Sequence, residues 1–261
     1  MNNHHHPTLP LAPRGPRPSP SPPSPHAPFP PPTHTRELCN EPQTASYWER
    51  DRGLVPGAGL TAWAADVSAL IKSLDPNHLV FMGDEGWRTD GAPGGPPAGP
   101  FPATGIAPAP PVSPVGYEWF NDGAKGIDAV ALAALPTIDA LTVHAYSANW
   151  GLPAARVLDL VTPFLADRAA LARAAGKPII LEEFGTPYGY VACRDAFIAS
   201  YAAAAGALGY AGALIWQVFP WKTRSSTGAG FDFDYDKPGG MAVSAMYEAY
   251  NARARLERGA S

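Results

Sequence analysis

At 261 residues, with 46% hydrophobic and 10% aromatic content, the chain is long enough to bury the core of one large domain. A net charge of −4 offers no basic stripe for nucleic acid or an anionic membrane surface, so neither is an expected partner. No run of about eighteen apolar residues occurs, so no membrane span is expected.

Proline, with 32 residues, is over-represented and concentrated between Pro7 and Pro32. Such a segment favours extended polyproline II and buries too little apolar surface to offset its ordering entropy, so residues 1–35 are expected to form a disordered tail. His4, His5 and His6 lie in that tail without other ligands at structural spacing, and a solvated run is the expectation there; no metal site is expected. The tail lacks the basic start, apolar middle and cleavage site of a secretory signal. Cys39 and Cys193, the only two cysteines, are too few for a disulfide framework and lack metal-ligand spacing.

From Arg36 onward, short apolar runs alternate with alanine-rich helical patterns, the arrangement of β/α repeats around a parallel sheet. Strands are expected at 36–40, 78–82, 140–144, 178–182 and 213–217. Helices are expected at 61–74, capped by Thr61 and stopped at Asp75-Pro76-Asn77, and at 153–175 as one or two pieces ending at Gly176. Two more are expected at 192–208, ending at Gly209, and at 240–256. Residues 84–115, rich in Gly and Pro, read as a binding loop or a disordered insert.

In parallel α/β folds the ligand sits at the carboxyl ends of the strands. Here those ends carry Asn40-Glu41, Gly83-Asp84-Glu85, His144-Ala145-Tyr146, Glu182-Glu183 and Trp216-Gln217. Two carboxylates on different strand ends, Glu41 and Glu183, suit glycosidic bond cleavage, in which one acid protonates the leaving oxygen while the other faces the anomeric carbon. Taken singly, either Glu reads more readily as an ion-pair partner; both together, with aromatic neighbours, point to chemistry. Glu182 is expected to face the other side of its strand, because side chains alternate, and to serve as a structural ion-pair partner. The alternating acids at 232–236 lack the glycine and terminal glutamate of a calcium loop and read as part of a βα loop.

The order Asn40-Glu41-Pro42, His144-Ala145-Tyr146, Leu181-Glu182-Glu183-Phe184-Gly185, Trp216-Gln217 resembles glycoside hydrolase family 5, retaining enzymes built on a (β/α)8 TIM barrel. Asp84-Glu85-Gly86-Trp87, Ile138-Asp139, Trp150 and the doubled glutamate are similar to its endo-β-1,4-mannanases. The resemblance implies that Glu41 is the acid/base and Glu183 the nucleophile. It implies that Asn40 bonds the sugar 2-hydroxyl, that Tyr146 orients Glu183, that His144 lies beside the acid/base and that Trp216 floors the −1 subsite. Trp87, Trp150 and Trp221 become candidates for flanking sugars, though each is nearly as well explained by packing. It further implies a polysaccharide or oligosaccharide substrate, no cofactor, a monomer and a secreted enzyme. In the family the Asn-Glu-Pro motif ends the fourth barrel strand. Residues 36–257 are therefore expected to form a partial barrel of about the last five β/α units, without the arginine that braces the nucleophile in relatives, and with exposed apolar faces. The alternatives are another β-glycanase such as a cellulase, or an inactive carbohydrate-binding remnant or non-functional gene fragment.

Overall fold

The computed structural model describes residues 35–44, 49, 51–91, 120–147, 150, 157–186, 194–219 and 233–234, with backbone alone at 157–160, 194–195, 218–219 and 233–234. The tail up to residue 34, the helix expected at 240–256, Trp221 and most of the acidic run at 232–236 lie outside the described residues.

In chain order the elements are β1 (Thr35–Glu37), α1 (Ala58–Leu74), β2 (Leu79–Phe81), α2 (Ala129–Ala134), β3 (Leu141–Ala145), α3 (Val157–Ala175), β4 (Ile179–Phe184), α4 (Arg194–Leu208), β5 (Gly212–Ile215), β6 (Val218–Phe219) and β7 (Phe233–Asp234). Thr35, counted with the tail above, opens β1. Among the described residues every strand pairing is parallel: β1 with β2, β3 with β4, β4 with β5, and β6 with β7. β2 and β3 are joined less regularly. Asp139 N–H donates to the Val80 carbonyl at 2.9 Å, the Asp139 carboxylate accepts from Val80 N–H at 2.6 Å, and His144 N–H reaches the Glu85 carbonyl at 3.4 Å. β1 through β5 thus form a parallel α/β array with helices between successive strands, as the repeat pattern predicts.

Burial explains the register. All five residues of β3 are buried, as expected of a parallel strand covered on both faces. β4 alternates buried and half-buried from Ile179 to Glu182 and then breaks step, with Glu182 and Glu183 both half-buried. The break is a bulge: Val143 pairs with Leu181 but the next residue, His144, pairs with Glu183. Strict alternation, assumed for Glu182, therefore fails at the residue where it decides function.

On the helix side, Leu141, Val143 and Ile179 pack with Leu132 of α2 and Leu171 of α3. Phe164, Leu165, Ile198, Tyr201 and Ala205 extend this core between α3 and α4. α3 continues unbroken through Pro163, so the stretch is one helix, and α3 and α4 stop at the expected glycines, 176 and 209. Trp63, Leu70 and Leu74 of α1 and Leu214 of β5 stand exposed.

Two local expectations change. α1 begins at Ala58 rather than Thr61, and its N-cap, Gly57, has no side chain to give. The carboxylate of Glu49 replaces it, accepting from Gly57 N–H at 2.7 Å and Gly59 N–H at 3.1 Å. α2, absent from the sequence reading, is capped by Asp128, whose Oδ1 accepts from Val130 and Ala131 N–H at 3.1 Å each while Oδ2 accepts from Thr89.

Candidate active site

The carboxyl ends of the strands converge as the strand-end rule requires. Past β1, Leu38, Cys39 and Glu41 continue the ladder by donating to Phe81, Met82 and Gly83 carbonyls. Gly83 has a φ of 78°, and a Cβ there would collide with the Cys39 carbonyl and the Glu37 carboxylate, so glycine permits the two strand ends to close together. Glu41 has a φ of 47°, in the left-handed region unusual for a residue with a side chain. That turn aims its carboxylate back across the strand ends.

There Glu41 meets His144. His144 Nδ1 lies 2.9 Å from Glu41 Oε1 and 3.7 Å from Glu183 Oε2, while Nε2 lies 3.4 Å from Glu182 Oε2. The Tyr146 hydroxyl donates to Glu183 Oε2. A carboxylate oxygen of Glu41, one of Glu183 and a ring nitrogen of His144 all lie within 4.8 Å of one another. The His144 side chain is 1% exposed and that of Glu183 13%, whereas that of Glu41 is 37% exposed. One carboxylate is thus recessed and its opposite open to solvent.

Burial alone would discharge His144, but hydrogen bonds to Glu182 and Glu41 and the field of Glu183 outweigh it and raise its pKa to about 10. A protonated imidazole donates at both edges, which suits the carboxylate oxygens of Glu41 and Glu182 on its two sides. Burial, then the bond to Glu183, drives the Tyr146 phenol far above its usual range and keeps it a donor. Burial also raises Glu37, beside Glu182, and Glu85, and lifts Asp84 to about 7.

The histidine makes stability depend on pH. Its folded pKa exceeds the unfolded value near 6.5, so its contribution is complete below about 6.5 and lost as pH rises through about 10. In urea unfolding, the stability advantage of the wild type over H144Q is expected to shrink by a few kcal/mol between about pH 6.5 and pH 9.5, the comparison cancelling other titrating groups such as Lys177.

Beside the cluster opens a cavity of about 400 Å³ lined by Glu41, Gln43, Glu85, Trp87, Lys125, His144, Tyr146 and Trp150. That volume is in the range of small-molecule sites. Gln43 Nε2 donates to Glu85 Oε1, tying the turn after Glu41 to the end of β2. Trp87 and Trp150 line the cavity, yet both also pack on Phe120 and Phe164 with centroids 4.9–5.7 Å apart. Packing and lining are therefore the same surface. Asn40 and Trp216, both exposed, stand outside that lining; the Trp216 N–H bonds the Phe184 carbonyl at 2.8 Å, which sets it one residue from Glu183.

Sequence reasoning missed Gln43, two residues past Glu41, and Lys125, which carries no motif. It misplaced Glu182, which turns toward His144 at the bulge, although its reading as an ion-pair partner stands.

Comparison with known proteins relates the sequence and fold of the chain to a family. The sequence profile of the cellulase family (glycosyl hydrolase family 5) matches residues 32–218. A protein of Emericella nidulans named probable mannan endo-1,4-beta-mannosidase F is 33% identical over 166 residues, covering 64% of this chain and 31% of that protein. Mannan endo-1,4-beta-mannosidase A of Aspergillus aculeatus is 29% identical over 201 residues, covering 76% of this chain and 44% of its own length. Among solved structures, the endo-beta-1,4-mannanase from Thermotoga petrophila superposes with a TM-score of 0.66 at 28% identity, covering 83% of this chain and 44% of the other. The chain thus spans less than half the length of these relatives.

Proposed function

The chain belongs to the cellulase family, glycosyl hydrolase family 5, and from that membership we propose a retaining endo-acting hydrolase of β-1,4-mannosidic bonds in mannan-type polysaccharides. The observation that carries the reading is the pair Glu41 and Glu183, with carboxylate oxygens within 4.8 Å across His144. Retaining enzymes hold their carboxyl groups about 5–5.5 Å apart, whereas inverting ones need about 6.5–9.5 Å to admit a water.

In this reading Glu183, recessed and held by Tyr146, attacks the anomeric carbon to form a glycosyl ester. Glu41 gives its proton to the departing oxygen. Among the described residues the Oε2 of Glu41 has no hydrogen-bond partner, so it is the oxygen available for that transfer. Glu41 then draws a proton from water as the water hydrolyses the ester, and configuration is retained by two displacements. Asn40, beside Glu41, bonds the 2-hydroxyl, and exposed Trp216 offers its face to the C–H side of the −1 sugar. Trp87, Trp150, Gln43 and Glu85 border the adjoining cavity and contact neighbouring sugars.

The matched relatives named as mannanases support mannan as substrate. The profile's own description, a cellulase, favours β-1,4-glucan as the second reading. Incubation of the purified chain with soluble glucomannan, galactomannan and carboxymethylcellulose separates them, reducing ends being expected from the mannans. Proton NMR of the first products is expected to show the β anomer. An α anomer removes the retaining mechanism, and release from cellulose alone removes the mannan specificity.

A further inference from the structure

We propose that Glu182 is a positioning residue of this site, holding the Nε2 edge of His144 so that the ring presents its Nδ1 hydrogen to Glu41. The inference rests on the assignment of Glu41 as acid/base. In an unbroken β4 the side chain of Glu182 would alternate away from that of Glu183. The bulge between β3 and β4 sets both within reach of the same imidazole, Glu182 at Nε2 and Glu183 at Nδ1. A register break that costs ladder hydrogen bonds is thus located where it delivers a second carboxylate to His144.

The chemistry of the ring makes the contact directional. A neutral imidazole has one donor and one acceptor nitrogen. With a carboxylate oxygen 2.9 Å from one nitrogen and another 3.4 Å from the other, an acceptor nitrogen at either edge would oppose an acceptor oxygen. Both edges need hydrogens, and Glu182 supplies the charge that keeps the second one in place. The side chain of Glu182 is 14% exposed. Glu37, reaching over from β1, meets its carboxyl and adds a further acid behind it.

The charged and titratable groups facing the ring come from each packed element. They are Glu37 from β1, Glu41 from the turn after it, Asp84 from the end of β2, and Glu182 and Glu183 from β4, with Tyr146 beyond β3 and Lys125 across the cavity. Of these, Glu182 is the group at the Nε2 edge. Its loss leaves Nε2 without its anion, so the ring discharges at lower pH and its hold on Glu41 weakens.

The test is E182Q, which keeps the shape and removes the charge. NMR titration of His144, its signal identified by the spectrum of H144Q, is expected to give a midpoint lowered by roughly one to two pH units in E182Q. The alkaline limb of kcat/KM on soluble mannan is expected to move down with it, and kcat to fall about tenfold with KM little changed. An unchanged His144 midpoint in folded E182Q overturns the proposal. A wild-type measurement decides it if E182Q does not fold: ¹⁵N shifts at pH 8 are expected to show both ring nitrogens protonated, and a neutral ring overturns it. If the wild type releases no sugar while the midpoint still moves, the mannanase reading falls and the hold of Glu182 on His144 stands. If activity is present and its pH profile ignores E182Q, Glu182 supports the fold alone and the proposal falls.

Discussion

Replacing Glu183 with alanine is expected to lower kcat on soluble mannan by about four orders of magnitude or more, with the near-ultraviolet circular dichroism of the protein unchanged. The size follows from the proposed role as nucleophile. A missing nucleophile leaves no route to the glycosyl ester, and the residual rate is what binding and the remaining polar groups provide. Replacing Glu41 removes proton transfer, a term of about 10²–10⁴, and its deficit should depend on the leaving group. An aryl mannoside whose phenol departs without a proton is expected to restore the first step in E41A and not in E183A. Azide adds a stereochemical readout. In E183A it takes the vacated face and gives an inverted glycosyl azide; in E41A it intercepts the ester and gives a retained one. If E183A keeps activity within tenfold of the wild type, the assignment of the two carboxylates is wrong.

The contrast between the two glutamates has a structural source. The Glu183 side chain is 13% exposed and bonded by the Tyr146 hydroxyl, so a carboxylate proposed to attack is held in one place before substrate arrives. That of Glu41 is 37% exposed, on a left-handed turn, with its Oε1 fixed by His144, which suits a group that exchanges protons with bulk water between steps. Preorganisation of this kind exists without ligand. It comes from strand ends that are themselves locked, β1 to β2 at Gly83 and β3 to β4 at the bulge.

Much of this arrangement could be read from the residue order, because parallel strands with crossover helices leave one end for chemistry and motif residues fall there. Glu41, His144, Tyr146 and Glu183 follow from that rule and from the family resemblance. What could not be read has a common physical cause: it depends on pairing between residues distant in the chain. The position of Glu182 rests on a register shift against β3, which period-two alternation has no means to show. The cap of α1 is a carboxylate eight residues before Gly57, so local cap rules choose Thr61 instead. α2 is only six residues long, too short for helical periodicity, and its one local signal was Asp128 ahead of an apolar run. The cavity wall at Gln43 and Lys125 is assembled from turns whose path no motif specifies.

The wall on the Trp87 side is held from behind by a buried ionic cluster, and breaking it is expected to cost about 3–5 kcal/mol. Arg168 of α3 donates to the carbonyls of Gly86 and Phe120, to Asn121 Oδ1 and to Asp167, with its guanidinium carbon 4.6 Å above the Phe164 ring. Arg88 bonds Asp167 Oδ1 and Oδ2 at 3.0 Å each and also Asp90. Two cations and two anions therefore balance in a site where the arginine side chains are at most 1% exposed. Arg168→Met keeps the aliphatic volume but leaves Asp167 with one cation, and strips a donor from Gly86, the residue between Glu85 and Trp87. Urea unfolding is expected to register the loss, a large fraction of the roughly 5–15 kcal/mol typical of a folded domain. The double variant Asp167→Asn with Arg168→Met should be less destabilised than the sum of the single changes, because Arg88 and Asp90 remain a neutral pair. Strict additivity would show that the cluster is not coupled. A rise in KM for mannan in folded R168M, exceeding any change in kcat, would carry the effect from the ionic cluster through the Gly86 carbonyl to the cavity wall that the proposed function sets against sugar.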